Sequence, residues 1–158
     1  MAVMLLVAGN EQGVIRMKKD ALPENKIPII RVPAMPADLN QGGTVFGGWI
    51  MSQVDIAGSI PAAQRAGGTV VTRAVDSFEF KKPVFAGDLI SCYAQVVAVG
   101  KTSITVHVEV YAQSMNKGVI STKWVTEASL VYVAIDGNGR PRAVPTMSAS
   151  DRETEDLL

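Results

Sequence analysis

An amide, two adjacent glycines and a carboxylate fall within one short run, Asn40-Gln-Gly-Gly-Thr-Val-Phe-Gly-Gly-Trp-Ile-Met-Ser-Gln-Val-Asp55. A helix that begins at Gly47 or Gly48 leaves its first N–H groups without intrahelical acceptors, and the missing Cβ atoms let a ligand oxygen approach them. Such an end can polarise a carbonyl. At about 3.6 residues per turn, Gly48, Ser52, Asp55, Ser59 and Ala62 share one face, with Met51 and Gly58 beside it. Phe46, Trp49, Ile50, Val54, Ala57 and Ile60 lie mainly on the other. No Lys or Arg stands three or four positions from Asp55, so it lacks the local partner of an ordinary solvated helix carboxylate. The bland alternative is a solvent-facing Asp55 and glycines that only relieve packing. Against it stands the combination: a carbonyl-binding helix start and a carboxylate able to activate a nucleophile suit attack on an acyl carbon.

With Met35-Pro-Ala-Asp38 before it and Thr72, Lys82-Pro83, Gly87-Asp88 and Gly100-Lys101-Thr102-Ser103 after it, this segment resembles the hotdog-fold acyl-CoA thioesterases, most closely the YciA type. The likeness runs from about Pro33 to Pro145, and the Asn40-to-Asp55 motif is its most specific part. The resemblance implies that Asp55 is the catalytic carboxylate and that Asn40 helps to hold the nucleophilic water. It implies that the Gly47-Gly48 backbone binds the thioester oxygen. It further implies an acyl-CoA substrate, with coenzyme A entering as part of that substrate and no separate cofactor.

Spacing adds a constraint. Asp55 follows Gly48 by seven positions, which is about 10 Å along a helix, so one carbonyl cannot easily touch both. Two antiparallel helices in a homodimer would bring the Asp55 of one chain to the helix start of the other. An active site shared between subunits is therefore expected, as the resemblance also implies, and related thioesterases often assemble further as a trimer of dimers.

Acyl-CoA carries phosphates and a long pantetheine arm, so its site needs surface cations and a narrow apolar tunnel. Val99-Gly100-Lys101-Thr102-Ser103 joins a tight turn, two hydroxyls and a cation, and it matches the family segment that contacts CoA. Arg140, after the Asp136-Gly-Asn-Gly139 turn, matches a family position near the nucleotide. Lys101 and Arg140 rank above Lys82 and Arg142, although any one of these can be a plain surface residue. Trp49, Met51, Phe78 and Phe80 are candidates to close the acyl tunnel, and equally ordinary core.

The architecture that must position these groups follows from pattern. A brief β-rich run from Pro28 to Val32 precedes Pro33 and Pro36, then a loop enters the helix at Gly47. The helix is expected to reach about Ala66, with Pro61 kinking it or ending its regular part and Gly67-Gly68 stopping it. Long strands follow at roughly Val70 to Phe80, Asp88 to Val99, Ser103 to Gln113 and Ile120 to Ile135. Hairpin turns at Lys82 to Gly87, at Gly100-Lys101 and at Met115 to Gly118 are expected to join them. One early strand, one long helix and four antiparallel strands predict an α+β domain, the hotdog fold, in which an antiparallel sheet wraps around a long central helix. A long edge strand of such a protomer is suited to pairing with a second copy.

The chain has 158 residues and a formal net charge of +0, which suits one domain and offers no basic field for nucleic acid. The expected division is an amino-terminal extension at 1–27, the thioesterase domain at 28–147 and a polar tail at 148–158. Met1 to Ala8 is apolar, yet it lacks a basic start and is far shorter than the roughly 20 residues of a membrane span. Cys92 is the one cysteine, so a cytoplasmic protein without a disulfide framework is expected. The Gly-rich run lacks the Gly-Lys-Ser/Thr ending of a P-loop.

Other chemistries fit less well. His107 is the one histidine. A two-residue turn at Gly100-Lys101 would pair it with Ala94 and set it diagonally from Cys92 on one sheet face, at roughly 7 Å or more, which is long for a Cys-His nucleophilic pair. One histidine and no clustered carboxylates argue against a catalytic metal, and no histidine near the helix serves a hydratase. A non-catalytic acyl-CoA binding module is the alternative in a different class, although pure binding does not require Asp55 and Asn40.

Overall fold

The structure is a computed structural model that describes residues 20–146. Strand β1 (Ile30–Pro33) and a 3-10 turn (Pro36–Asp38) lead to helix α1 (Gly47–Ala66), which is followed by β2 (Val70–Asp76), β3 (Leu89–Val99), β4 (Ser103–Asn116) and β5 (Val119–Ala134). The five strands form one antiparallel sheet in the order β1-β3-β4-β5-β2, and α1 packs against β2, β3, β4 and β5. This is the expected α+β architecture of a hotdog fold. The apolar tail that the sequence left open, Met1 to Val7, and the polar tail at 148–158 lie outside the described residues.

Alternation decides which side of the sheet meets the helix. Ile104, Val106, Val108 and Val110 of β4 are buried, as are Ala128, Leu130, Tyr132 and Ala134 of β5, every second residue of each strand. They pack with Ile50, Val54, Ala57 and Ala62 of α1 to make the core. The helix ends where Gly67 adopts the left-handed region, at φ 61°, a conformation glycine takes without a Cβ clash. It runs through Pro61 without ending there, because packing on the sheet holds the helix past one missing hydrogen bond.

Several expectations need correction. Lys82 to Gly87 is not a hairpin turn, because β2 pairs with β5 while β3 pairs with β1 and β4, so the segment crosses from one edge of the sheet to the other side. Strand β2 stops at Asp76 rather than Phe80, since Ser77 turns into the left-handed region at φ 55°. The chain then crosses β5 irregularly, where the Lys81 N–H donates to the Val125 carbonyl at 2.8 Å, at the bulge where Val125 is the extra residue. The β3/β4 turn centres on Lys101-Thr102, with Val99 opposite Ile104, which advances the register by two positions, and a second bulge, at Val97, takes one back, so His107 faces Gln95 and not Ala94. Cys92, opposite Val110, is buried on the helix side of the sheet, whereas His107 lies on the other side beside Glu127. Cys92 and His107 do not share a face. The helix faces also differ in detail: Gly58 and Ala62 turn into the core, while Ile60 is exposed with Phe46, Met51 and Ile56.

Candidate active site

Asp38 and Asn40 build the loop that delivers the helix start. The Asp38 carboxylate accepts from the Met35 N–H at 2.8 Å, and the Phe46 N–H donates to the Asp38 carbonyl at 2.9 Å. Leu39 bridges Val45, so the segment closes as a small hairpin. Inside it, Asn40 Oδ1 accepts from the N–H groups of Gly42 (2.8 Å) and Thr44 (3.3 Å), and its Nδ2 donates to Thr44 Oγ1 at 2.9 Å. Gly43, at φ 79°, supplies the left-handed residue that this turn requires. The Asn40 side chain is thus a loop organiser with one amide hydrogen left to offer.

Phe46 caps α1 with its carbonyl alone, accepting from Trp49 (3.1 Å) and Ile50 (3.3 Å), and no side chain caps the helix. The amides of Gly47 and Gly48 find no acceptor among the described residues, so they retain the donor capacity of a free helix end. The two glycines differ. A Cβ at Gly47 would lie 3.1 Å from the Phe80 ring, whereas one at Gly48 would meet nothing within 4 Å. Beside Gly47 opens a cavity of about 330 Å³ lined by Thr44, Ile50, Phe80, Lys82 and Pro83 among others. Phe78 lies against Phe80, with ring centroids 5.0 Å apart.

Asp55, two turns along, is half-buried and has partners that the local sequence does not reveal. Thr72 Oγ1 donates to its Oδ1 at 2.6 Å. The Tyr132 hydroxyl donates to the Asp55 backbone carbonyl at 2.8 Å, with Oδ1 at 3.2 Å. Thr72 and Tyr132 are cross-strand partners of β2 and β5, so their side chains emerge on the same face, under the helix. A bulge at Arg73 follows immediately. Burial first, and then the neighbouring Asp55 charge, push the Tyr132 phenol above its ordinary range, which keeps it a hydrogen-bond donor. No Lys or Arg pairs with Asp55 among the described residues. Thr72 belonged to the motif that carried the resemblance. Tyr132 went unnoticed, although a phenol at an inward strand position generally needs a polar partner.

The expected CoA-binding residues collect at the other end of the helix. Gly100 N–H donates to the Ser103 carbonyl at 2.8 Å, and the Lys101 and Thr102 carbonyls accept from Val144 and Ala134, both at 2.9 Å. The Val99-to-Ser103 hairpin is therefore tied to the segment that carries Arg140. That residue follows a turn in which Asp136 Oδ1 accepts from Asn138 and Arg140, both at 2.9 Å. Lys101 and Arg140 are exposed. Lys82 stands apart, at the helix start, where Asp20 binds its ammonium at 2.7 Å. Arg142 is consumed by the carbonyls of Ala66 (2.9 Å) and Ile135 (3.1 Å).

On the sheet face away from the helix, ligand-capable atoms of His107, Glu109 and Glu127 lie within 4.8 Å of one another. The fold thus clusters carboxylates that are separate in sequence, remote from Asp55.

Comparison with known proteins bears on the family and the fold. Residues 42–119 match the family model described as the Thioesterase superfamily. The chain is 41% identical over 136 residues to an uncharacterized acyl-CoA thioester hydrolase of Haemophilus influenzae, covering 85% of this chain and 88% of the relative. It is 45% identical over 118 residues to the acyl-CoA thioester hydrolase YciA of Escherichia coli, covering 74% and 89%. Among solved structures, a hexameric broad specificity acyl-coenzyme A thioesterase superposes with a TM-score of 0.76 at 40% identity, over 86% of this chain and 93% of that one. A hexameric thioesterase from Yersinia pestis gives 0.72 at 45% identity, over 80% and 100%. The chain belongs to the thioesterase superfamily as a hotdog-fold acyl-CoA thioester hydrolase of the YciA kind.

Proposed function

We propose that hydrolysis of the acyl-CoA thioester takes place at sites built from two protomers. Amides at the Gly47-Gly48 helix start of one chain stabilise the developing oxyanion. Asp55 of the other acts as general base on a water held with the remaining amide hydrogen of Asn40. The observation that carries this reading is the Asp55 carboxylate, tied at one oxygen by Thr72, open at the other among the described residues, and about 10 Å from the nearest unsatisfied helix amide of its own chain.

Surface and spacing support the pairing. Phe46, Met51, Ile56 and Ile60 expose apolar side chains along the helix, and Val75 does so on the helix side of β2, whose second edge is unpaired. That patch is what a second copy would cover, and the relatives described as hexameric favour a trimer of such dimers. The Lys101 and Arg140 end of the helix lies about 30 Å from the Gly47 end, given twenty residues in α1. In an antiparallel pair the CoA phosphates can therefore rest on the Val99-to-Ser103 hairpin and Arg140 of the chain that supplies Asp55, while the acyl carbonyl reaches its partner's helix start. Lys82, bound to Asp20, serves the cavity wall rather than the phosphates. Among relatives from Staphylococcus aureus, alanine variants have been solved at an asparagine and at an aspartate fifteen positions later, the separation of Asn40 from Asp55 here.

Mixing Asp55→Asn and Asn40→Ala subunits tests the shared site. Each variant alone should be inactive, and random pairing should restore about a quarter of native turnover, since one site in each heterodimer regains both residues. No recovery in a mixture that demonstrably exchanges subunits would refute it. A direct attack by Asp55 to form an anhydride is separable by single turnover in heavy-oxygen water, which would then label the Asp55 carboxylate.

A further inference from the structure

We infer that Tyr132 is a positioning residue that fixes which oxygen of Asp55 performs the proton transfer, and that Gly58 exists to admit it. The inference rests on Asp55 being the base. Two hydroxyls from neighbouring strands converge on one atom: Thr72 Oγ1 at 2.6 Å and the Tyr132 hydroxyl at 3.2 Å both meet Asp55 Oδ1. Oδ2 receives no hydrogen bond among the described residues. A carboxylate bonded at one oxygen only cannot rotate freely about its last torsion, so Oδ2 is presented to the solvent side as the proton acceptor.

Tyr132 does more than share this bond. Its one hydroxyl hydrogen is shared in a bifurcated bond between Oδ1 and the nearer Asp55 backbone carbonyl, at 2.8 Å, which ties helix and sheet at the residue that bears the base. The ring is fully buried, so its aim is set by packing. Gly58, one turn beyond Asp55, explains how the hydroxyl gets there. Glycine inside a helix is destabilising relative to alanine, and Gly58 has no unusual backbone conformation to require it. A Cβ at Gly58 would lie 2.5 Å from the Tyr132 hydroxyl oxygen and 3.2 Å from two ring carbons. The glycine therefore makes room for the tip of the phenol. Tyr132 is the one titratable group bonded to Asp55 among the described residues; the neighbours three and four positions away on α1 are Met51, Ser52, Gly58 and Ser59, and from β2 comes Thr72.

The test is steady-state CoA release across pH for native protein, Tyr132→Phe, Gly58→Ala and the double variant. Loss of a donor to the ionised carboxylate should raise the acid limb of kcat/KM by about half a pH unit or more. It should lower kcat about tenfold with KM unchanged. Gly58→Ala should do the same by displacing the hydroxyl. Added to Tyr132→Phe it should cost less than it does alone, because the 2.5 Å clash is gone and only the two ring-carbon contacts at 3.2 Å remain. A lower Tm with native kcat and a native acid limb would make Tyr132 merely structural and overturn the inference. If Tyr132→Phe does not fold, Gly58→Ala alone decides, with native kinetics refuting. Full activity of Asp55→Asn would instead sink the general-base reading itself.

Discussion

A Cβ built at Gly48 meets nothing within 4 Å in the protomer, and alanine is favoured over glycine in a helix by about 1 kcal/mol. Gly48→Ala should therefore hold or raise thermal stability, by about 3 °C for a domain of this size. Activity should move the opposite way. A thioester oxygen docked on the Gly47 and Gly48 amides must come within hydrogen-bond distance of them, and a methyl at position 48 projects from the surface the partner and substrate would share. Loss of one oxyanion donor typically lowers kcat by about a hundredfold or more, close to 3 kcal/mol. Gly47→Ala is the internal control for packing: its Cβ would lie 3.1 Å from the Phe80 ring. That ring is half-exposed and can yield, so a stability cost of about 1 kcal/mol is expected. CoA release, thermal unfolding and sizing chromatography on both variants check this. Gly48→Ala with native kcat and KM, eluting as the native assembly, would refute the helix start as the oxyanion site.

Lys101→Ala and Arg140→Ala should each raise KM for acyl-CoA severalfold with little change in kcat, and the double variant should flatten the salt dependence of kcat/KM. Lys123 and Asp88 form a largely buried pair at 2.8 Å, so Lys123→Met should cost about 3 kcal/mol in denaturant unfolding. Burial drives the Asp88 carboxyl up, but the hydrogen bonds from Lys123, Ser114 and the Phe85 amide outweigh it and hold it below the usual carboxylate range. A lowered pKa stabilises the fold above the unfolded value of about 4. That contribution should vanish as pH falls below 4 through the folded value, and Asp88→Asn should show a flatter acid limb of stability against pH. Burial pushes the Cys92 thiol up to about 12. Native protein should resist alkylation at pH 8, and Cys92→Ala should keep native kcat.

Helix α1 was legible because glycine pairs mark both its ends, and the long strands because their alternation is uninterrupted. The bulges left no comparable trace. Val97 looks like any other strand valine, yet as the extra residue it moves His107 from Val96 to Gln95 in the register that the turn sets. The termination of β2 hangs on a left-handed Ser77, a conformation its side chain does not announce. At the site, the motif marked Asp55 but could not show what holds it, since Thr72 and Tyr132 are separated from it by 17 and 77 positions. Lys82 looked available for phosphate because its partner, Asp20, is 62 positions away. Asn40 differs, for its bonds to Gly42 and Thr44 are local, and an Asn-x-Gly-Gly run already has the makings of an Asx turn.

The length of one rigid helix also sets how this enzyme should behave on dilution. A protomer that holds the Gly47-Gly48 amides and the Asp55 carboxylate about 10 Å apart cannot bend a packed helix to bring them together. On the shared-site reading a separated protomer carries two half-sites and no whole one. Specific activity then follows mass action, falling once total protein drops toward the dissociation constant of the pair, while saturating substrate that bridges both chains draws the halves together and lowers that threshold.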